Sequence, residues 1–580
     1  MSVRNLFLFC VPALLIAQPL HAQSEARIRV IQPSINHLKE DIKFLVELSP
    51  TPVLKKQWDK TLDPLIDSFA EGLDPTKPMR VDLVFGKADI GYELHFPLMK
   101  LKKLNKLDKV NGFLENLDGF GYKSKELAPG LFELTQGAKK NLKIVGFLRE
   151  ANKYASIAPT QAAVPANLSH PITKDLQVYL AKGYDVAAEL KNDPNDKAGM
   201  AARLANFKEL RKQLEAGITF KRDEDKSTFE LRKLSLVQNL NEAERFLVET
   251  ELATINWVTD ITAKTGRGEL TFTAIPDTAL RASAELLASK SSYFANVKAP
   301  AKSGATGRLN FPIDTLRAGH LKDFYKVFRP VLAKRLDGLA SLKEADQKAA
   351  AKQVGDLIID MLDAGLAISI VDGIIDLTEA DGDKHTLVFG IRAADGKVAD
   401  QIVSLFPKIW PGFEIKLNVA EVAGASLHTL TLPAKRLPRF QKFFPGETLI
   451  HMATSKDAVW IAIGSNAQAE LRAAINAVAG PAPAMADPIV ASFSANMSKL
   501  VALVEAMEPE PAETTGPKTP AQKQRDKVRN LAEQAVKGCE PRLAMALKRN
   551  GDLIEATIDV TECALKFVGT MIADFAKDME

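Results

Sequence analysis

A strand–turn–strand–helix unit between Leu366 and Phe406 constrains the fold of this chain more than any other stretch. It reads LAISIVDGIIDLTEADGDKHTLVFGIRAADGKVADQIVSLF: two apolar strands flank a polar turn at Asp381-Gly382, and an amphipathic helix follows. Strands with one apolar face, and a helix with apolar residues three and four apart, are buried together only when a helix layer packs on a sheet. The pattern recurs at Ile255–Leu287 and Leu543–Ile572, and in looser form at Val81–Leu107. The expected class is therefore α+β. Two tandem similar halves are predicted, each an antiparallel-rich sheet packed by long helices and built from repeated hairpin–helix units.

The copies agree in detail. Ile261-Thr262 and Leu377-Thr378 each follow an aspartate, Asp260 and Asp376, before the turn. Asp277, Asp395 and Glu562 each open a helix, where a carboxylate can accept the free amide hydrogens of the first turn. Further along come Leu280, Ala284 and Leu287 in one copy, Val398, Ile402 and Leu405 in another, and Leu565, Gly569 and Ile572 in the third. KYASIA (153–158) and VWIAIG (459–464) both follow a hairpin turn. These segments are not compositionally biased, so low complexity does not explain the match, and internal duplication does. The division runs 1–22 signal peptide, 23–296 first half, 297–303 linker and 304–580 second half, with a Pro/Glu/Thr-rich loop at 508–520.

This order of elements resembles an uncharacterised family of exported proteins from planctomycete-type bacteria. Its members carry a signal peptide, paired copies of the unit, long helices before the hairpin and D-x-T-like strand endings. The resemblance spans nearly the whole mature chain and implies no catalytic residue.

The N-terminus points to export. Arg4 gives a positive start, Leu6 to Ala17 is an apolar run too short to span a bilayer, and QPLHA ends at Ala22, a cleavage point before Gln23. No other run is long enough to cross a membrane, so the mature chain is expected without a transmembrane segment, in the periplasm or outside the cell. Charge adds little, because 76 basic and 72 acidic residues leave a net +4, which calls for no nucleic acid.

Two cysteines remain after cleavage, Cys539 and Cys563, and export favours a disulfide between them. The segments RLAMALK and LIEATIDV read as a hairpin around Asn550-Gly551, a favoured two-residue turn. That turn pairs Leu547 with Ile554 and Leu543 with Ile558, and carries Cys539 to a place opposite Glu562, next to Cys563.

A search for chemistry finds no site: no catalytic, metal-binding or cofactor-binding residue is assigned. The eight histidines never fall within five residues of one another, and HExxH, HxH and CxxC are absent, which disfavours a zinc site with local ligands. His95, His428 and His451 lie in strands and read as structural. There is no GxSxG elbow and no phosphate-binding GxxxxGK[ST] loop. Gly266-Arg267-Gly268 lacks a third glycine and is assigned to a hairpin turn. Glu379, Asp381 and Asp383 fail the calcium-loop spacing, and Asp193, Asn195 and Asp196 read as a turn and helix cap. Lysines at 100, 102, 103, 106 and 109 interleave with leucines in a stretch read as a helix with a solvated lysine face, the alternative being contact with an anionic membrane.

The functional expectation is a non-catalytic exported protein of the envelope or periplasm, binding a ligand or partner or serving structurally. A carrier of lipid or another apolar ligand is the sharpest version. VWIAIG is apolar on both faces, which means either a sheet covered on both sides or a face that lines a cavity. The alternative is an exported hydrolase with dispersed catalytic residues.

Overall fold

The computed structural model describes residues 26–577 apart from 49–54, 57, 86–89, 100–107, 138–142, 223, 340–341, 380–383, 432–440, 442, 445–448, 482–487, 508–529 and 531–541. Ten strands occupy the first half: β1 (Ala26–Gln32), β2 (Met79–Phe85), β3 (Ile90–Pro97), β4 (Tyr122–Ala128), β5 (Leu131–Gln136), β6 (Lys143–Ala151), β7 (Tyr154–Ala158), β8 (Val186–Lys191), β9 (Thr250–Asp260) and β10 (Thr265–Ala274). Ten more follow: β11 (Ser303–Pro312), β12 (Ile370–Glu379), β13 (His385–Arg392), β14 (Glu414–Val422), β15 (Ala425–Thr431), β16 (Leu449–Thr454), β17 (Ala458–Gly464), β18 (Ile489–Asn496), β19 (Arg542–Asn550) and β20 (Leu553–Val560). The helices are α1 (Ile35–Leu48), α2 (Asp63–Phe69), α3 (Asp108–Gly119), α4 (Lys174–Ala181), α5 (Lys197–Ala216), α6 (Lys226–Glu249) and α7 (Ala279–Leu286). The second half adds α8 (Thr315–Asp337), α9 (Ala345–Gly365), α10 (Val398–Ser404), α11 (Ala467–Val478), α12 (Met497–Met507) and α13 (Glu562–Lys577).

Among the described residues every pairing is antiparallel, and the twenty strands share one sheet. The first half runs β4–β5–β6–β7–β3–β2–β1–β8–β9–β10. From the other edge the second half runs β14–β15–β16–β17–β13–β12–β11–β18–β19–β20. The two orders are the same with ten added to each strand number. The halves meet where β10 pairs with β20, Gly266 opposite Val560 through Phe272 opposite Ile554. Two separate sheets were expected; a non-local strand pair fuses them.

Strand order also corrects the matching of the units. The hairpin β12–β13 corresponds to β2–β3, the copy that looked loosest in sequence, and β9–β10 corresponds to β19–β20. Apolar alternation reports that one face of a hairpin is buried, and not where the hairpin sits in a sheet. Helix starts need correction too. Asp277 is in the left-handed region (φ 60°), and the cap of α7 is Thr278, whose hydroxyl accepts from the Arg281 amide. Asp395 lies before α10 and takes the Lys397 amide. Asp196 does cap α5, accepting from Gly199 N at 2.7 Å.

The β19–β20 hairpin turns at Gly551-Asp552 and not at Asn550-Gly551, so Leu547 faces Ala556 and Leu543 faces Val560. The slip moves each partner by two residues, which keeps the same side chains on each face and explains why pattern alone did not expose it.

Candidate functional site

One transverse row of side chains crosses the middle of the sheet: Ile255, Leu270, Ala556, Leu547, Ala491, Leu309, Gly373 and Ile391, each opposite the next. A second row beside it on the same face carries Gly268, Ile558, Met545, Phe493, Gly307, Ile375 and Phe389. No charged residue falls in either row. Helices cover this face at both ends of the strands. At one end Phe272 and Ile554 pack with Leu287 after α7, and Ala253 and Leu190 pack with Leu247 of α6. At the other, Leu377 and Ala495 lie with Leu503 of α12, and Val560 lies with Leu565 of α13 and Phe44 of α1.

The band between stays open. Ile255 is 57% exposed and Met545 47%, with Leu270, Leu309 and Val371 also exposed. Over the second-half strands the band deepens into a groove of about 540 Å³. Its floor is lowered by Gly307 and Gly373: a Cβ on Gly307 would stand 2.7 Å from the Ile375 side chain, and one on Gly373 would stand 2.9 Å from the Gly390 carbonyl. On their other side β10, β20, β18 and β11 carry Glu269, Thr557, Ser492 and Arg308 in one row with Ala546 of β19, whereas β12 and β13 send Ile374 and Val388 into the apolar core under α11. Arg308 there pairs with Asp376 at 2.8 Å, and Asp372 accepts from Ser292 Oγ and Tyr293 N. Arg308, Asp372 and Asp376 are thus turned away from the groove and satisfied.

The opposite face of the first half holds the densest charge cluster among the described residues. Arg27 binds Asp82 at 2.7 Å and Glu93 at 2.6 and 2.8 Å, and Arg80 forks onto both Asp82 oxygens at 2.6 and 2.5 Å. Burial pushes the fully enclosed Asp82 upward, but Arg80 and Arg27 more than reverse this and hold it below the usual carboxylate range. Beside them His95 Nδ1 meets Ser156 Oγ at 2.8 Å, and burial drives the ring down to a pKa of about 4 despite Asp82. Asp82, Glu93 and His95 have a metal-like donor set, but the two guanidiniums already neutralise it.

A second such set is differently placed. His37 and Asp41 lie one turn apart on α1, and Asp185 precedes β8. His37 Nε2 stands 2.8 Å from Asp185 Oδ1 and 3.7 Å from Asp41 Oδ2. Burial, then the Asp185 charge, push Asp41 up to about 6, and the Asp185 bond and Asp41 charge raise His37 in spite of its burial.

The residues singled out by sequence sit as follows. His428 is buried, with Nδ1 accepting from Asn418 N at 3.1 Å and Nε2 3.0 Å from Thr454 Oγ1, a structural role like that of His95. Gly266-Arg267-Gly268 lies inside β10 and not in a turn. A Cβ on Gly266 would stand 2.6 Å from the Trp257 ring, so these glycines make room for a side chain. Asp193 accepts from Asn195 N at 2.9 Å, as a turn residue should. Ala22, Gln23, Asp381, Asp383, Cys539, the lysines at 100–106 and the 508–520 loop lie outside the described residues. Cys563 is buried at the start of α13. Helix α3 begins at Asp108, and none of the described helices is long and apolar enough to cross a membrane.

Sequence reasoning missed the groove, because alternation marks a strand face as apolar without saying what covers it. It missed the His37 set because the search used histidine spacing, whereas the signal is a His-x-x-x-Asp step on one helix face joined by a residue 148 positions away. No family model, curated protein or solved structure matches the chain, so the reading of these sites rests on its own residues.

Proposed function

We propose that the chain is a non-catalytic exported protein of the envelope or periplasm that carries an elongated apolar ligand, of the acyl-chain type, in the central groove. One observation carries this: among the described residues, the side chains that β9, β10, β20, β19, β18, β11, β12 and β13 aim into the central band are apolar, and the band is left exposed. The eight-strand row is about 34 Å long at 4.8 Å per strand, a shape for a chain and not for a compact solute. The groove proper lies over six of these strands, β13, β12, β11, β18, β19 and β20, and its volume of about 540 Å³ falls within the range of small-molecule sites. An exposed apolar band of this extent is unusual on a protein that has to remain in water without a ligand.

The same reading takes the shared strand order of the halves as an internal duplication, the N-terminal segment as a signal peptide cleaved before Gln23, and Cys539–Cys563 as a disulfide formed after export. Native mass spectrometry of protein purified from its own host tests the ligand directly. The expected result is added mass that is extracted by organic solvent and is absent from a Leu309→Glu, Met545→Glu double variant. A wild-type protein with no added mass, which also fails to bind a fluorescent fatty acid, overturns the carrier reading.

A further inference from the structure

We propose that His37, Asp41 and Asp185 form a binding site for one divalent transition-metal ion, with Zn²⁺ the best match, and with at least one coordination position left to solvent. The argument starts from α1, where the four-residue step puts His37 and Asp41 on the same face and one turn apart. The third donor comes from across the fold, and all three ligand atoms lie within 4.8 Å of one another. Donors bound to zinc at ~2.0–2.1 Å in a tetrahedron stand about 3.3 Å apart. The His37 Nε2 separations of 2.8 and 3.7 Å lie on either side of that value.

The supporting contacts are those of a held ligand. Asp185 Oδ2 accepts the Thr259 amide at 2.6 Å, which fixes the carboxylate and leaves Oδ1 aimed at His37. The Asp185 side chain is 93% buried, since only 7% of it is exposed. A buried carboxylate needs a positive partner. Among the described residues, however, no lysine or arginine pairs with Asp185 or Asp41, and both ion contacts go to the same imidazole. The comparison with Asp82, Glu93 and His95 is direct: there Arg27 and Arg80 supply the positive charge, and here only the His37 ring stands beside the two carboxylates, through a proton that a metal ion can displace. One imidazole with two carboxylates suits a borderline cation better than calcium or magnesium, which prefer all-oxygen shells. His37 remains 37% exposed, so water can reach the ion. Such an ion would tie α1 to the start of β8 and the end of β9, beside Trp257.

The test uses the full mature chain, stripped with chelator and titrated with ZnCl₂ at pH 7.5 by calorimetry. Co²⁺ is added separately to read its visible absorption bands. One equivalent is expected to bind, with tetrahedral or five-coordinate cobalt bands. His37→Ala and Asp41→Asn should each weaken binding by about tenfold or more, and Glu93→Gln should leave it unchanged. Asp41 is the less buried carboxylate, so its variant keeps the test open if Asp185→Asn does not fold. Absence of a one-to-one isotherm, or a wild-type isotherm in both the His37 and Asp41 variants, overturns the site.

Discussion

The two halves share a strand order but fill the face opposite the groove in contrary ways. In the first half that face buries Asp82 and His95 among the half-buried Arg27, Arg80 and Glu93. In the second it buries Trp460, Phe294, Ile374, Val388 and Leu471 beneath α11. Trp460 and Phe294 meet edge to face at 4.9 Å and 83°. Gly390 allows this contact, since a Cβ there would stand 2.7 Å from the indole and 2.9 Å from the phenyl ring. One backbone plan therefore supports two kinds of interior. The apolar one gains from every atom it removes from water, whereas the ionic one gains only as long as all its partners remain.

The contrast predicts different responses to damage. The largest single loss should come from Trp460→Ala, about 4 kcal/mol by urea unfolding, because a fully buried ring leaves a cavity that Gly390 cannot refill. A loss under 1 kcal/mol would mean that this core is loosely packed. In the first half, Asp82→Asn should cost about 3 kcal/mol by leaving Arg80 without its carboxylate. Replacing both, Arg80→Met with Asp82→Leu, should recover most of that. If the double variant is no better than the single one, the cluster does more than balance charge.

The smallest effect is one of pH. The folded protein holds His95 neutral with a pKa of about 4, against 6.5 when unfolded. The unfolded chain therefore binds the extra proton first, and the stability contribution is complete above 6.5 and lost as the pH falls towards 4. Between pH 7.5 and 5 this amounts to about 2 kcal/mol. His95→Gln should flatten the stability profile over that interval, and an unaltered slope would assign the acid sensitivity elsewhere.

Much of this was legible in sequence because it is local. The hairpins, α1, the Asp196 cap and the two-sided burial of VWIAIG all follow from alternation, helical spacing or capping chemistry. Strand β4 was not, since YKSKELA is charged along its length and exposed on both faces after Tyr122, with no apolar period to read. The β10–β20 pairing was hidden for another reason: it joins segments about three hundred residues apart, and nothing in either strand names its partner. The groove and the His37 set depend on the same kind of long-range placement.

The β10–β20 junction bears on how such a sheet stops growing. Edge strands add to one another readily, and that reaction repeated between molecules builds fibres. Here it occurs once, inside the chain, and uses up one edge of each half. The edges left over are β4, which bears Lys123, Lys125 and Glu126, and β14, which bears Glu414, Lys416 and Glu421 and is interrupted by a bulge after Lys416. Charge and irregular register make both poor templates. The molecule is in effect a polymerisation halted at the dimer, with its two remaining ends capped.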